Sequence, residues 1–167
     1  ACISTFTLIF SYNIKANTNV SHAIAMHGEP KYNKDFLSVE YVSNSVVKGG
    51  NIVRSSIGNY DTFNPFTLKG TSAAGISLLY ESLTVGSSDE AFTEYGLLAK
   101  QIEWPEDRSW VAFTLRDEAV WHDGKKISSD DIVWTFNTLM EKGHPFYKYY
   151  YGDVSEVMKI SESKVKF

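Results

Sequence analysis

Trp121-His122-Asp123-Gly124-Lys125-Lys126-Ile127-Ser128-Ser129-Asp130-Asp131-Ile132-Val133-Trp134-Thr135-Phe136 is the stretch that most constrains the fold. It predicts a strand end, a tight turn and a capped amphipathic helix in direct succession. Asp123-Gly124 supplies the turn, because glycine takes a positive φ without steric cost. Ser128 or Ser129 can cap the helix, and Asp130 and Asp131 suit its first turn. Ile132, Val133, Phe136, Leu139 and Met140 recur at helical spacing, and Gly143 offers a stop. A helix over 129–142 is therefore expected, ended by Gly143-His144-Pro145.

Around this helix the pattern alternates with period two. Trp110, Ala112 and Thr114 interleave with Val111, Phe113 and Leu115, and Pro105-Glu106-Asp107 makes a connection. Residues 101–116 thus read as a β-hairpin. Residues 157–167 read as a second hairpin with Ser161-Glu162-Ser163 at its tip. A first strand is expected over 51–58, a turn at Asn64-Pro65, and a short helix over 72–82 capped by Ser72. Residues 26–48 show no period and read as an extended arm. Within 146–151, successive aromatics are expected to alternate between opposite faces, as on a strand. Two short helices packed on a largely antiparallel sheet make an α+β or mixed α/β fold.

Charge and motif content exclude several functions. Sixteen basic against twenty acidic residues leave no basic field to attract nucleic acid. Cys2 is the only cysteine, so neither an internal disulfide nor a cysteine-based zinc site is expected. No H-E-x-x-H, phosphate-cradling G-x-x-x-x-G-K or G-x-S-x-G elbow occurs. A hydrolase built on His122 and Asp123 would lack a nucleophile, and a turn histidine beside Asp-Gly is the simpler reading. No catalytic residue, metal or cofactor is expected. Four tryptophans and ten tyrosines also fit an aromatic-rich β module that binds glycans, but two helices speak against a sandwich of many short strands.

The wording of the 121–136 segment closely resembles the signature of extracellular solute-binding proteins, family 5, the peptide-capturing receptors of ABC importers. Leu98-Ala99 and Ser109-Trp110-Val111-Ala112-Phe113-Thr114-Leu115-Arg116 are similar to the strand that precedes it in that family. Asp61-Thr62-Phe63-Asn64-Pro65-Phe66 and Leu79-Tyr80-Glu81-Ser82-Leu83 match its upstream turn and helix end. His27-Gly28-Glu29-Pro30-Lys31-Tyr32, Asp35-Phe36, Tyr41-Val42 and Lys48-Gly49-Gly50 look like the subgroup for oligopeptides, murein peptides and microcin C. Where that subgroup usually reads Ala-Pro-Lys-Gly-Gly, this chain has Val46-Val47-Lys48-Gly49-Gly50.

The resemblance implies the N-terminal part of the first lobe of a two-lobed periplasmic receptor, with 26–167 as an incomplete lobe. It implies a peptide ligand, membrane permease subunits as partners and a monomeric state. By the same resemblance, Lys69, Gly70, Thr71 and Ser72 line the cleft, and Phe146, with Tyr147 beside it, faces the ligand. Lys69 serves equally as a solvated surface lysine, and Phe146 as a ring packed on the preceding helix. Free backbone groups at 70–72 would pair with an extended peptide as an added strand does. Residues 1–25 read as the remnant of a signal peptide, from the apolar run Phe6–Tyr12 and the A-x-A-like Ala23-Ile24-Ala25. With one lobe incomplete and the other missing, peptide affinity no better than about millimolar is expected.

Overall fold

A computed structural model describes residues 17–43 and 45–167. Its larger sheet has five strands, β1 (Thr18–Ser21), β5 (Ala99–Pro105), β6 (Ala112–Leu115), β8 (Lys164–Lys166) and β7 (Met158–Ser161), in that spatial order. The smaller sheet has three, β2 (Ala23–Ala25), β4 (Glu90–Gly96) and β3 (Thr84–Ser87). Every strand pairing within them is antiparallel. Two helices complete the fold, α1 (Ser129–Lys142) and α2 (Pro145–Tyr150). Among the described residues, no helix is long and apolar enough to cross a membrane.

The two hairpins fold as the alternation predicts. Ile102 stands opposite Phe113, and Phe113 opposite Val165. Opposed residues in an antiparallel ladder share a face, so these three line one side of the sheet. Ile102 and Val165 are fully buried and Leu115 nearly so. Helix α1 packs against β7 and β8, and its Phe136 ring meets Phe167 edge-on, with centroids 5.4 Å apart. The opposite face is polar. Glu103 receives Lys164 at 2.6 Å, and the Lys166 ammonium lies 4.6 Å from the Trp110 ring centroid.

Helix α1 carries a complete capping box. The Asp131 N–H donates to the Ser128 hydroxyl, while the Ser128 N–H donates back to Asp131 Oδ2 at 2.8 Å. Burial works against the Asp131 charge, but the hydrogen bonds from Ser128 and Trp121 outweigh it and hold the carboxyl below its ordinary range. Ser129 is fully buried, its N–H bonded to the Glu162 carbonyl and its hydroxyl to that of Ser161. These contacts seat the helix start on the β7–β8 turn.

A second, smaller core holds Ala23, Tyr32 and Tyr95, with Val39 packed against it. It docks the irregular arm of residues 26–43 on the small sheet. Lys31 bridges Asp89 at 2.7 Å and Glu40 at 2.8 Å. Asp89 sits in the β3–β4 turn, and hydrogen bonds from Lys31, then Ser87 and Tyr32, push its carboxyl well below the usual range. Lys31 is raised correspondingly, chiefly by its bonds to Asp89 and Glu40.

Several expectations need correction. Residues 18–25, read from sequence as leader, form strands in both sheets, and Ala23 is 1% exposed. Small apolar residues serve a buried strand as well as a cleavage motif, which is why Ala23-Ile24-Ala25 misleads. Residues 1–16, with Cys2 and Phe6–Tyr12, lie outside the described residues. The stretch 51–58 is an exposed irregular segment rather than a strand, and none of it enters either sheet. The helix expected over 72–82 contracts to a single 3-10 turn, Ile76–Leu79. Gly75 precedes it in the left-handed region, and residue 72 is drawn into a parallel bridge with Thr62. Residues 146–150 are helical, not strand-like.

Candidate functional site

The loop 61–72 is shaped by its own short polar side chains. Asn64 N–H donates to the Thr62 hydroxyl at 3.0 Å, and Phe66 N–H to Asn64 Oδ1 at 2.9 Å. Pro65 thus sits inside an Asx turn, the geometry that Asn-Pro favours. The chain then returns so that Thr62 N–H donates to the Thr71 carbonyl and Ala73 N–H to the Thr62 carbonyl, at 3.3 and 3.0 Å. Asp61 Oδ1 accepts the Thr71 N–H at 2.6 Å, and the Ser72 hydroxyl donates to the Asn64 carbonyl at 3.1 Å.

This geometry sorts the four sequence candidates in the loop. Thr71 has both backbone groups committed inside it. Ser72 is different: in a parallel bridge its neighbours bond to Thr62, so its own N–H and C=O point to the other side. Neither has a backbone hydrogen-bond partner among the described residues. The Ser72 side chain is tied to Asn64 and does not cap a helix. Lys69 and Gly70 are exposed and help to line an open concavity of about 470 Å³ with Asp61, Thr62, Asn64 and Thr67. Gly70 has φ +88°, and a Cβ there would stand 2.6 Å from Asp61 Oδ1, so the close approach needs glycine.

Phe146 and Tyr147 belong to α2, entered through a tight elbow. Gly143 ends α1, and a Cβ there would come within 2.5 Å of the Leu139 carbonyl oxygen. His144 caps α2: its Nδ1 accepts the Phe146 N–H at 3.0 Å. Phe146 is 52% exposed and stacks on Tyr150 one turn later, with centroids 5.3 Å apart. Tyr147 is half-buried and turned toward Gly143. Loop and elbow meet directly, because the His144 N–H donates to the Phe66 carbonyl at 2.7 Å. Sequence reasoning missed His144 and the inward roles of Asp61 and Asn64. The signals present were an imidazole before a proline and the Asn-Pro pair.

A second concavity, about 260 Å³, is bounded by Leu79, Tyr80, Trp121 and His122. His122 is exposed in the 121–125 turn, where Lys125 pairs with Asp123 at 2.7 Å. Among the described residues, no three His, Cys, Asp or Glu side chains cluster as a metal site would require.

The unit is thus mixed α+β with antiparallel sheets, and its turn-bound loop is hydrogen-bonded to the elbow that opens a short, exposed aromatic helix. The chain matches the family model of bacterial extracellular solute-binding proteins, family 5 Middle, over residues 93–167. It is 42% identical over 154 residues to the "Peptidoglycan-binding protein YepA" of Agrobacterium fabrum, covering 87% of this chain and 25% of that protein. It is 34% identical over 144 residues to the "Probable peptide-binding protein YejA" of the same organism, covering 86% and 23%. The crystal structure of NikZ from Campylobacter jejuni in complex with Ni(L-His) aligns with TM-score 0.50 and 28% identity, over 62% of this chain and 21% of NikZ. The chain thus spans about a quarter of the length of the relatives it matches.

Proposed function

We propose that this chain supplies part of the ligand-facing surface of a periplasmic receptor that delivers peptides, or compounds containing peptides, to the permease subunits of an ABC importer. The observation that carries the reading is the Ser72 edge. One residue of extended backbone turns its N–H and C=O away from the bridge, near an exposed lysine, and hydrogen bonds through Asn64, Phe66 and His144 link it to an exposed aromatic helix. An extended peptide pairs with such an edge through its own backbone, whatever its side chains. Lys69 meets a ligand carboxylate, and the Phe146–Tyr150 face takes an apolar side chain. Relatives described as peptide-binding and peptidoglycan-binding support this class of ligand.

In the same reading, residues 18–167 belong to part of the first lobe, and exposed apolar groups such as Trp134 and Tyr149 meet other parts of the receptor. Each backbone hydrogen bond at an open edge contributes only about 0.5–1.5 kcal/mol against competing water. Association costs on the order of 4 kcal/mol or more. The isolated chain then binds peptide at about millimolar strength. Calorimetry with a mixture of tri- to pentapeptides tests this. Weak heats that need millimolar peptide fit the proposal, whereas micromolar affinity from the chain alone would refute the two-lobe part of it.

A further inference from the structure

We infer that His144 is the positioning residue that holds the aromatic helix and the peptide-pairing loop in one fixed arrangement; this rests on the ligand reading above. A continuous set of hydrogen bonds joins the two. Phe146 N–H donates to His144 Nδ1 at 3.0 Å, and His144 N–H donates to the Phe66 carbonyl at 2.7 Å. Phe66 N–H donates to Asn64 Oδ1 at 2.9 Å, and the Ser72 hydroxyl donates to the Asn64 carbonyl at 3.1 Å. From the start of α2 to the pairing edge there is no gap in this path. The side chain and the backbone of His144 each make one of its links, on opposite sides of the residue.

The local chemistry leaves few substitutes for this joint. Pro145 has no N–H to offer, so Phe146 supplies the earliest free donor within α2. Gly143 is pressed too closely against Leu139 and Tyr147 to carry a side chain of its own. With Nδ1 accepting, the imidazole proton resides on Nε2, and it is the atom two bonds beyond Cβ that does the work. Asparagine places an acceptor oxygen at that same distance from its Cβ, whereas glutamine places its own one bond farther. A merely space-filling role would favour glutamine as much as asparagine. A positioned acceptor favours asparagine alone.

The test uses the 167-residue chain, isotope-labelled for NMR, with His144→Ala, His144→Asn and His144→Gln. Loss of the cap should speed amide exchange at Phe146 about tenfold in the alanine and glutamine variants, a typical N-cap effect. The asparagine variant should stay close to the parent chain. Titration with tri-alanine should shift the Ser72 and Phe146 amides together in the parent and asparagine chains, and Ser72 alone in the other two. Unchanged Phe146 exchange in the alanine variant would overturn the inference, as would asparagine and glutamine behaving alike. If the alanine variant loses its fold, the asparagine–glutamine comparison still decides. The exchange pattern without any peptide-induced shift would overturn the ligand reading, and with it the positioning role. Peptide shifts without the exchange pattern would overturn the joint alone.

Discussion

Gly70 stands at φ +88° with the Asp61 carboxylate where its Cβ would be. Gly70→Ala meets both a backbone conformation costing an L-residue about 1–2 kcal/mol and a clash with the acceptor of the Thr71 N–H. The expected result is local: faster amide exchange at Thr71, with the melting temperature of the α1 core little changed. The α1 cap responds to pH in a defined direction. Asp131 has a folded pKa below its unfolded value near about 3.9, so its contribution is present above that value and lost as pH falls through the lowered folded pKa. Ser128→Ala should cost about 1 kcal/mol at neutral pH. It should also flatten the acid limb of the stability curve, which thermal melts between pH 2 and 7 would read.

Elements were legible where a period repeats and illegible where one residue decides. The alternation over 110–115, the polar tip within 157–167 and a fourteen-residue amphipathic run announce the two hairpins and α1. Substituting their shared core, Ile102→Ala, should cost about 2–5 kcal/mol in a denaturant titration. The 72–82 and 146–151 segments misread because the decision lies in a left-handed Gly75 and in a histidine cap before Pro145. Strands β1 and β2 are four and three residues long, too short for any period to show. Their partners, β5 and β4, lie some seventy or more residues away in sequence. The arm shows the same limit, since its anchors, an ion pair between residues 31 and 89 and the packing of residue 32 on residue 95, join distant parts of the sequence. Asp89→Asn should leave the sheets intact and expose the arm to limited proteolysis. In the parent chain that protection should hold from about pH 4 to 10. It fails in acid only below the ordinary carboxylate range, through Asp89, and in base only above the ordinary lysine range, through Lys31.

At the scale of the whole molecule, the family was legible because its motifs are spread in order along the chain. The site was legible only as two separate stretches. Their meeting through Phe66 and His144 is a tertiary fact that no local pattern encodes. The same holds for the division of labour inside the loop, where Thr71 is consumed by the fold and Ser72 keeps its backbone groups outward. In the proposed function, this edge and the α2 face receive an extended peptide. Chemical-shift mapping of the labelled chain during titration with tri-alanine, up to tens of millimolar, tests it most directly, because fast-exchange NMR detects weak binding. Saturable shifts centred on the Lys69–Ser72 and Phe146–Tyr150 amides are expected. Shifts confined to the Leu79, Tyr80, Trp121 and His122 concavity, or no saturable shift anywhere, would contradict the proposal.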